Sequence, residues 1–552
     1  MAELKPYRKY QMIRISGLGV KNLRSMRTLD PVKFRPINIL VGRNSAGKST
    51  FARLLPLLKQ STERRKRSPI LWWGRLVDFG TFDDVYSSFS SDGFIDLTIT
   101  FETDRALSLS RRPTFYSREE PLLEKPATIS TTFRLEKTDD GVTVLRELHV
   151  NVFGVNVILK FSSESEVSVQ INGNAHEEPS NVKLGWTQGQ IMPLLRTINV
   201  VPGPSPAAVS DESLFTPRRV ARFGSILART SVSAFVHGNT QEDRKEEIVD
   251  RLPVAPLSDL LKFCQSLPSA TVTWKSTLAQ TTTISASLLK LQSSIVLYKL
   301  EGLLAILDDA AQRHLSEVSY LEPLRATAQR YYRREEISTD ELDPKGLNTP
   351  FFIQGLAQRE RESLHQWTEE NFGFSLSLKN VGGHLSLNIQ PTGQDAVSRN
   401  MADVGLGYSQ LVPVAVQLWA ARNRIGNTPA RRGAAGRMVI ERGSRTMVVE
   451  QPELHLHPAY QAKLADVFAI SVKRADAMRP HFQPFTIIAE THSPNLIARL
   501  GELILNESIS SEDVQILVFE ESEERQDGTR VRIAKFDKDG ILQNWPIGFF
   551  DA

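Results

Sequence analysis

One run of nine residues, Gly42-Arg-Asn-Ser-Ala-Gly-Lys-Ser-Thr, has the residue types that hold a polyphosphate. It fits G-x-x-x-x-G-K-[ST], follows the apolar run Pro36-Ile-Asn-Ile-Leu-Val, and opens a helical pattern with Phe51, Leu54, Leu55 and Leu58. Gly42 and Gly47 permit backbone angles that let successive N–H groups, from Asn44, Ser45 and Ala46 through Thr50, wrap a phosphate. Lys48 would reach the β- and γ-phosphates, and the Ser49 hydroxyl would ligate Mg²⁺. The plain alternative is a glycine turn arising by chance, and the flanking strand and helix patterns argue against it. ATP with Mg²⁺ is the expected ligand.

Three more segments carry chemistry. Met447-Val-Val-Glu-Gln-Pro-Glu-Leu-His-Leu-His-Pro is an apolar strand ending in a carboxylate, so Glu450 can hold Mg²⁺ directly or through water. A buried strand followed by a solvated acidic turn is the competing reading. Asp403-Val-Gly-Leu-Gly-Tyr-Ser-Gln-Leu sets Gly405, Gly407, Ser409 and Gln410 at a helix start, either a second anion-seeking backbone or a glycine turn with a serine cap. Ile487-Ile-Ala-Glu-Thr-His-Ser-Pro-Asn places His492 just past another strand, where it could sense the γ-phosphate.

The elements that must position these groups show in the patterning. Period-two alternation at Phe94–Phe101, Ile129–Leu135 and Val150–Leu159, with turns at Asp139-Asp-Gly and Asn172-Gly-Asn, predicts an antiparallel sheet. Val201-Pro-Gly-Pro-Ser-Pro marks a boundary, after which Leu214 to Val318 is mostly helical in pattern. No heptad run persists, which argues against a long coiled-coil arm. Strand–helix alternation returns from Met447, the mark of an α/β fold. Three segments are expected: 1–200, an N-terminal lobe with the P-loop and a β-rich subdomain; 201–370, a helical insertion; and 371–552, a C-terminal lobe.

Composition narrows the class. The chain has 552 residues, 41% hydrophobic and 24% charged, in line with a globular protein large enough for two or more lobes. Lys+Arg 67 against Asp+Glu 63 gives a net +4, too small to argue for nucleic acid by itself. One cysteine, Cys264, rules out an internal disulfide framework and suits a reducing cytoplasm. The polar start and the lack of a long apolar run predict no signal peptide and no membrane span.

The order of P-loop, Gly-x-Gly-x-Ser-Gln, Glu-Gln-Pro-Glu-Leu-His-Leu-His-Pro and Thr-His-Ser-Pro resembles the ABC-type ATPases related to RecF, SMC and OLD proteins. The resemblance covers Gln11 to Leu58 and Ala402 to Leu500. More loosely, Trp72 to Val85, Tyr320-Leu-Glu-Pro-Leu-Arg and Asn544-Trp-Pro-Ile-Gly-Phe-Phe-Asp resemble the ATPase subunit of Septu antiviral systems, also found beside retrons. The resemblance implies a split ABC-type head whose halves are separated by insertions, since Lys48 and Glu450 lie 450 − 48 = 402 positions apart. It implies an ATP-sandwiched dimer or higher homo-oligomer, in which the P-loop, Glu450 and His492 of one subunit face Gly405–Gln410 of another. It implies an effector nuclease of HNH type as partner, with nucleic acid (DNA, or retron-derived RNA or DNA) as a further possibility.

The sequence also departs from that group. Its usual strand end is Asp-Glu, metal ligand then general base; here Gln451 follows Glu450, and glutamine cannot take a proton from water. Either Glu453, His455 or His457 substitutes, or hydrolysis is slow, or Gln451 is an introduced change. Only 552 − 492 = 60 residues follow His492, too few for the Toprim nuclease domain of OLD proteins. Asp78-Phe-Gly reads as a plain turn, so the glutamine loop has no placement. Basic residues cluster at Arg64–Arg67, at Arg431, Arg432, Arg437, Arg442 and Arg445, and at Arg325, Arg330, Arg333 and Arg334 around Tyr331 and Tyr332. Phosphate contact, solvated loop charge and internal ion pairing all remain open for them. The expected function is a slowly hydrolysing ATPase that controls a defence nuclease. A RecF-like DNA-repair clamp and a nucleotide-locked, non-hydrolysing scaffold are the alternatives.

Overall fold

The runs Ile37–Gly42, Arg445–Glu450 and Phe485–Glu490 have apolar centres, and nearly every residue in them is buried. Such continuous runs suit the interior of a parallel sheet, where helices cover both faces. The computed structural model describes residues 13–63, 68–109, 120–162, 167–177, 182–186, 192–193, 195–199, 222–267, 271–333, 339–393, 397–423, 425, 431–432, 438–439, 444–473, 485–522 and 528–545. The chain divides into two units. One comprises residues 1–20, 65–70 and 93–311; the other comprises residues 21–64, 71–92 and 312–552.

The first unit holds the antiparallel sheet predicted from the alternating text. Its strands run in the order Asn174–His176, Val167–Ile171, Val155–Phe161, Thr143–Val152, Thr128–Lys137, Phe94–Thr103 and the N-terminal strand that begins at Ile13. In Thr128–Lys137 every second residue from Ile129 to Leu135 is buried, so one face packs and the other is wetter. Helices Ser225–Ser233, Glu242–Arg251, Leu257–Ser266 and Val272–Ala279 precede the long helix Ala286–Ser316, within which the chain leaves this unit. Burying Lys299 there requires compensation, and its ammonium donates to Glu120 and to the carbonyls of Pro121 and Asp250.

The second unit is built on a seven-stranded sheet. The order is Val318–Leu321, Arg445–Glu450, Phe485–Glu490, Ile37–Gly42, Val514–Glu521, Thr529–Phe536, Leu542–Gln543. The first five run parallel and the last two antiparallel. Helices Leu406–Asn423, Pro458–Val472 and Pro494–Leu505 contribute Leu411, Phe468 and Leu496 to the same core as Ile37, Val449 and Ile487. The α/β class expected from the sequence is the class observed. The P-loop segment and the C-terminal strands meet in one sheet, so the expected N-terminal lobe divides between the two units.

Several sequence features fall outside the described residues: Arg64–Arg67, the Val201–Pro206 boundary, Arg334, Arg437, Arg442 and the final Pro546–Asp551. The side chains of Arg431 and Arg432 do so as well. Among the described residues, no helix is long and apolar enough to cross a membrane.

Candidate nucleotide site

The P-loop leaves the centre of the sheet at Gly42 and turns into the helix Lys48–Ala52. Gly42 sits at φ +148°, where an added Cβ would lie 2.2 Å from the Phe519 carbonyl oxygen of the neighbouring strand. Gly47 sits at φ +91° with Ser25 Oγ 2.8 Å from the same hypothetical atom. Both positions therefore need glycine for conformation and for space. Gly42→Ala is expected to lower thermal stability and to abolish ATP binding in a titration, because the Phe519 backbone has to shift. Arg43, Asn44 and Ser45 form the exposed crest of the loop. Ala46 and Thr50 are buried, and the Ala46 carbonyl accepts the Thr529 hydroxyl at 3.1 Å.

Lys48 is curled onto its own loop. Its ammonium donates to the carbonyls of Gly42 (2.8 Å) and Arg43 (2.7 Å) and lies 3.9 Å from Glu490. Burial lowers its pKa, and Glu490 opposes that shift. A phosphate would offer this cation stronger acceptors than two carbonyls.

Two carboxylates stand side by side at the strand ends, since Glu450 and Glu490 are direct partners in the parallel register. Ser49 donates its hydroxyl to Glu490 Oε2 at 2.7 Å. Arg53, one turn further along, grips Glu450 through Nε at 2.7 Å and Nη2 at 2.8 Å. Tyr320 donates to the same carboxylate at 2.6 Å. Burial raises the pKa of Glu490, and the nearby Glu450 charge adds to it while Ser49 and Lys48 oppose it. Among the described residues no cluster of three or more His, Cys, Asp or Glu could enclose a metal alone. A magnesium ion here would take phosphate and water for most of its six positions, which is its habit. The Ser49 hydroxyl and the Glu490 carboxylate beside it fit it as hard oxygen donors.

The turn after Glu450 is tight. Gln451 adopts φ +43° and donates its N–H to the Glu490 carbonyl at 2.8 Å. Glu453 folds back into the protein, 8% exposed, and accepts the His492 N–H on Oε1 at 2.7 Å. Its other oxygen, Oε2, is buried without a hydrogen bond. Burial raises the Glu453 pKa above the usual carboxylate range. The His492 pKa is lowered by burial and by the Lys48 charge. His455 and His457 are exposed, and His457 caps the following helix by accepting the Ala459 N–H.

The glycine-rich segment divides in two. Gly405 and Leu406 are on the surface, whereas Ser409 and Gln410 are buried in their own subunit. Gln410 accepts the Arg325 N–H at 3.2 Å and donates to the Arg325 carbonyl at 3.0 Å, while Ser409 accepts the Ala328 N–H. At Gly407 a Cβ would come within 2.9 Å of the His455 carbonyl, so the helix start abuts the Glu450 turn. Arg325 joins the two: its guanidinium donates to the carbonyls of Glu450 at 3.2 Å and Gln451 at 3.0 Å. Burial lowers its pKa to about 10.

The cluster around Arg325 divides between interior and surface. Arg325 is interior, Arg330 pairs with Asp403, and Tyr332 is buried against Phe351; Tyr331 stays half exposed. Arg445 is interior too, held by Glu317 at 2.9 Å and by the carbonyls of Ala420 and Ala421. Interior pairing holds for Arg445, Arg325 is bound to interior carbonyls, and Arg330 and Arg333 lie on the surface. Asp78-Phe-Gly is a turn, with the Gly80 N–H on Asp78.

Residues missed from the sequence are Glu490, Arg53, Tyr320 and the inward role of Arg325. Glu490 had a signal, because Ile487-Ile-Ala-Glu repeats the apolar-run-then-glutamate pattern of Met447-Val-Val-Glu.

Two stretches of the chain match known families. Residues 294–497 match the family described as AAA ATPase domain. That stretch carries Glu450, His492 and the glycine-rich segment, and the sheet brings the P-loop, which lies outside it, to the same place. Residues 509–552 match a family described as a protein of unknown function, DUF3696. No curated protein sequence matches the chain. Similar solved structures include an Smc head domain with an extended coiled coil bound to the C-terminal domain of ScpA, from Pyrococcus furiosus. It is 13% identical with a TM-score of 0.34, covering 95% of this chain and 97% of that one. The Smc head with coiled coil and joint from Pyrococcus yayanosii is 10% identical with a TM-score of 0.32, covering 96% and 98%. The SMC head domain from Thermotoga maritima is 8% identical with a TM-score of 0.32, covering 95% and 99%.

Proposed function

We propose that the chain is an ABC-type ATPase that binds ATP with Mg²⁺, turns it over slowly, and completes its site with a second copy of itself. The observation that carries this reading is the meeting of Lys48 and Ser49 with Glu490, Glu450 and His492 at one end of one sheet. Lys48 would exchange its two carbonyls for the β- and γ-phosphates, and the loop N–H groups from Asn44 to Thr50 would surround the phosphate chain. Ser49 and the carboxylate beside it would hold Mg²⁺, which would supply neutralisation of the phosphate charge. Glu453 would accept the proton of an attacking water, and its burial raises its basicity. Gln451 would orient that water and His492 would contact the γ-phosphate. The exposed Gly405–Leu406 corner is the surface offered to a second copy. By resemblance, the nucleotide-closed assembly would serve antiviral defence by restraining an HNH-type effector nuclease until a trigger arrives.

The test is mass measurement of the protein with ATP, with a non-hydrolysable analogue and without nucleotide. Nucleotide-dependent growth of the particle supports the reading, and a mass indifferent to nucleotide overturns the completed site. Turnover provides a second check. Gln451→Glu is expected to raise the single-turnover rate about tenfold or more, by installing a carboxylate base next to Glu450. Glu453→Gln is expected to lower the wild-type rate by about a hundredfold. The pH dependence follows from the raised Glu453 pKa. As a base it acts only when ionised, so the rate should climb with pH above the ordinary carboxylate range. Its contribution to stability has the opposite sign: the folded state holds the proton more tightly than the unfolded one, so stability falls as pH rises through the raised pKa. Glu453→Gln should therefore flatten the pH dependence of unfolding.

A further inference from the structure

We infer that Glu490, rather than Glu450, is the carboxylate that ligates the divalent cation beside Ser49. The inference rests on the reading of the site as one for ATP with Mg²⁺, and it divides the labour between the two adjacent glutamates.

Three observations carry it. The first is position. Phe485–Glu490 is hydrogen-bonded to the P-loop strand with Glu490 opposite Leu40, whereas Arg445–Glu450 is one strand further out. Strands are about 4.8 Å apart, so the Glu450 backbone starts about 10 Å from the P-loop strand and the Glu490 backbone starts at half that.

The second is the spacing of the oxygens. Ser49 Oγ and Glu490 Oε2 are 2.7 Å apart. Two neighbouring ligands in an octahedron with metal–oxygen bonds of about 2.1 Å are separated by about 3.0 Å. The hydrogen-bonded pair thus already has close to the spacing of two adjacent ligands, and a cation can enter between the two oxygens with little movement, the serine keeping its proton and turning it away. Lys48, 3.9 Å from Glu490, would leave for the phosphates as the cation arrives, so charge near the carboxylate stays compensated.

The third is that Glu450 is already committed. Its side chain is 1% exposed, and both oxygens are taken by Arg53, with Tyr320 added on Oε1. To ligate a metal it would have to release a guanidinium that then faces the cation. Glu450 instead acts as a positioning residue, fixing Arg53 one turn beyond Ser49.

The experiment compares the affinity for a non-hydrolysable ATP analogue in Mn²⁺ with that in EDTA, for wild type, E490Q and E450Q, with thermal melts of each. Glutamine at 490 can still accept the Ser49 hydroxyl, and the affinity in EDTA shows whether the loop is intact. For wild type, Mn²⁺ should strengthen binding. For E490Q, binding in EDTA should be equal or tighter and the gain from Mn²⁺ should drop tenfold or more, with a matching loss of bound Mn²⁺ in electron paramagnetic resonance. For E450Q, the gain should stay within threefold of wild type. A Mn²⁺ gain preserved in E490Q, or lost equally in both variants, would overturn the assignment. Absence of analogue binding to wild type in either buffer would instead remove the ATP reading on which the assignment rests.

Discussion

Lys48→Ala is expected to weaken ATP binding about a hundredfold by calorimetry. The loss corresponds to about 2.7 kcal/mol, within the usual range for charge-assisted hydrogen bonds to one cation. The effect belongs to the bound state. Without nucleotide the ammonium satisfies two carbonyls of its own loop, at 2.8 and 2.7 Å, so its removal also frees the Gly42 and Arg43 acceptors. That cost is ~1–2 kcal/mol of stability and is read separately by denaturant unfolding. Gly42 and Gly47 keep the loop backbone in place through their own packing, so the variant should remain folded. An affinity within threefold of wild type would take the phosphates away from this lysine.

Arg53→Met is expected to cost about 3 kcal/mol in unfolding free energy. It would leave Glu450 almost fully buried with only Tyr320 as donor, and stripping one partner from a buried ion pair is penalised by roughly that much. Arg53 keeps about a quarter of its surface exposed, which moves the expected cost to the lower end of that range. Glu450→Gln should lose less, because the amide is neutral and still accepts from Arg53 and Tyr320. Equal losses in the two variants, measured by denaturant titration at neutral pH, would show that Glu450 is not held as a charge.

The comparison between sequence and structure divides along the range of the interactions. The P-loop, the strand before Glu450 and the strand before His492 were legible because each is a local apolar run punctuated by glycine, glutamate or histidine. The antiparallel sheet was legible for the same reason, through its period of two. Which carboxylate stands nearer Ser49 was not, because that depends on strand order, and a sheet assembled from distant segments does not write its order into any one of them. The site roles of Arg53, Tyr320 and Arg325 were illegible likewise. Each is an ordinary residue in its own stretch and acquires a role only from a partner 85 or more positions away. Arg445 misled in the opposite direction: it stands in a basic stretch of text, yet closes the carbonyl end of the Leu406–Asn423 helix inside the protein.

The central strand of the second unit has a consequence for biosynthesis. Ile37–Gly42 is flanked on one side by Phe485–Glu490 and on the other by Val514–Glu521, so both lateral neighbours are translated more than 440 residues later, 485 − 42 = 443 for the nearer. At about 5–20 residues per second, the ribosome needs roughly 20–90 s to travel from one to the other. During that interval the apolar strand has neither edge covered, and nascent chains should recruit chaperones until the last strands emerge. ATP cannot assist this early stage, since the carboxylates facing Ser49 do not yet exist.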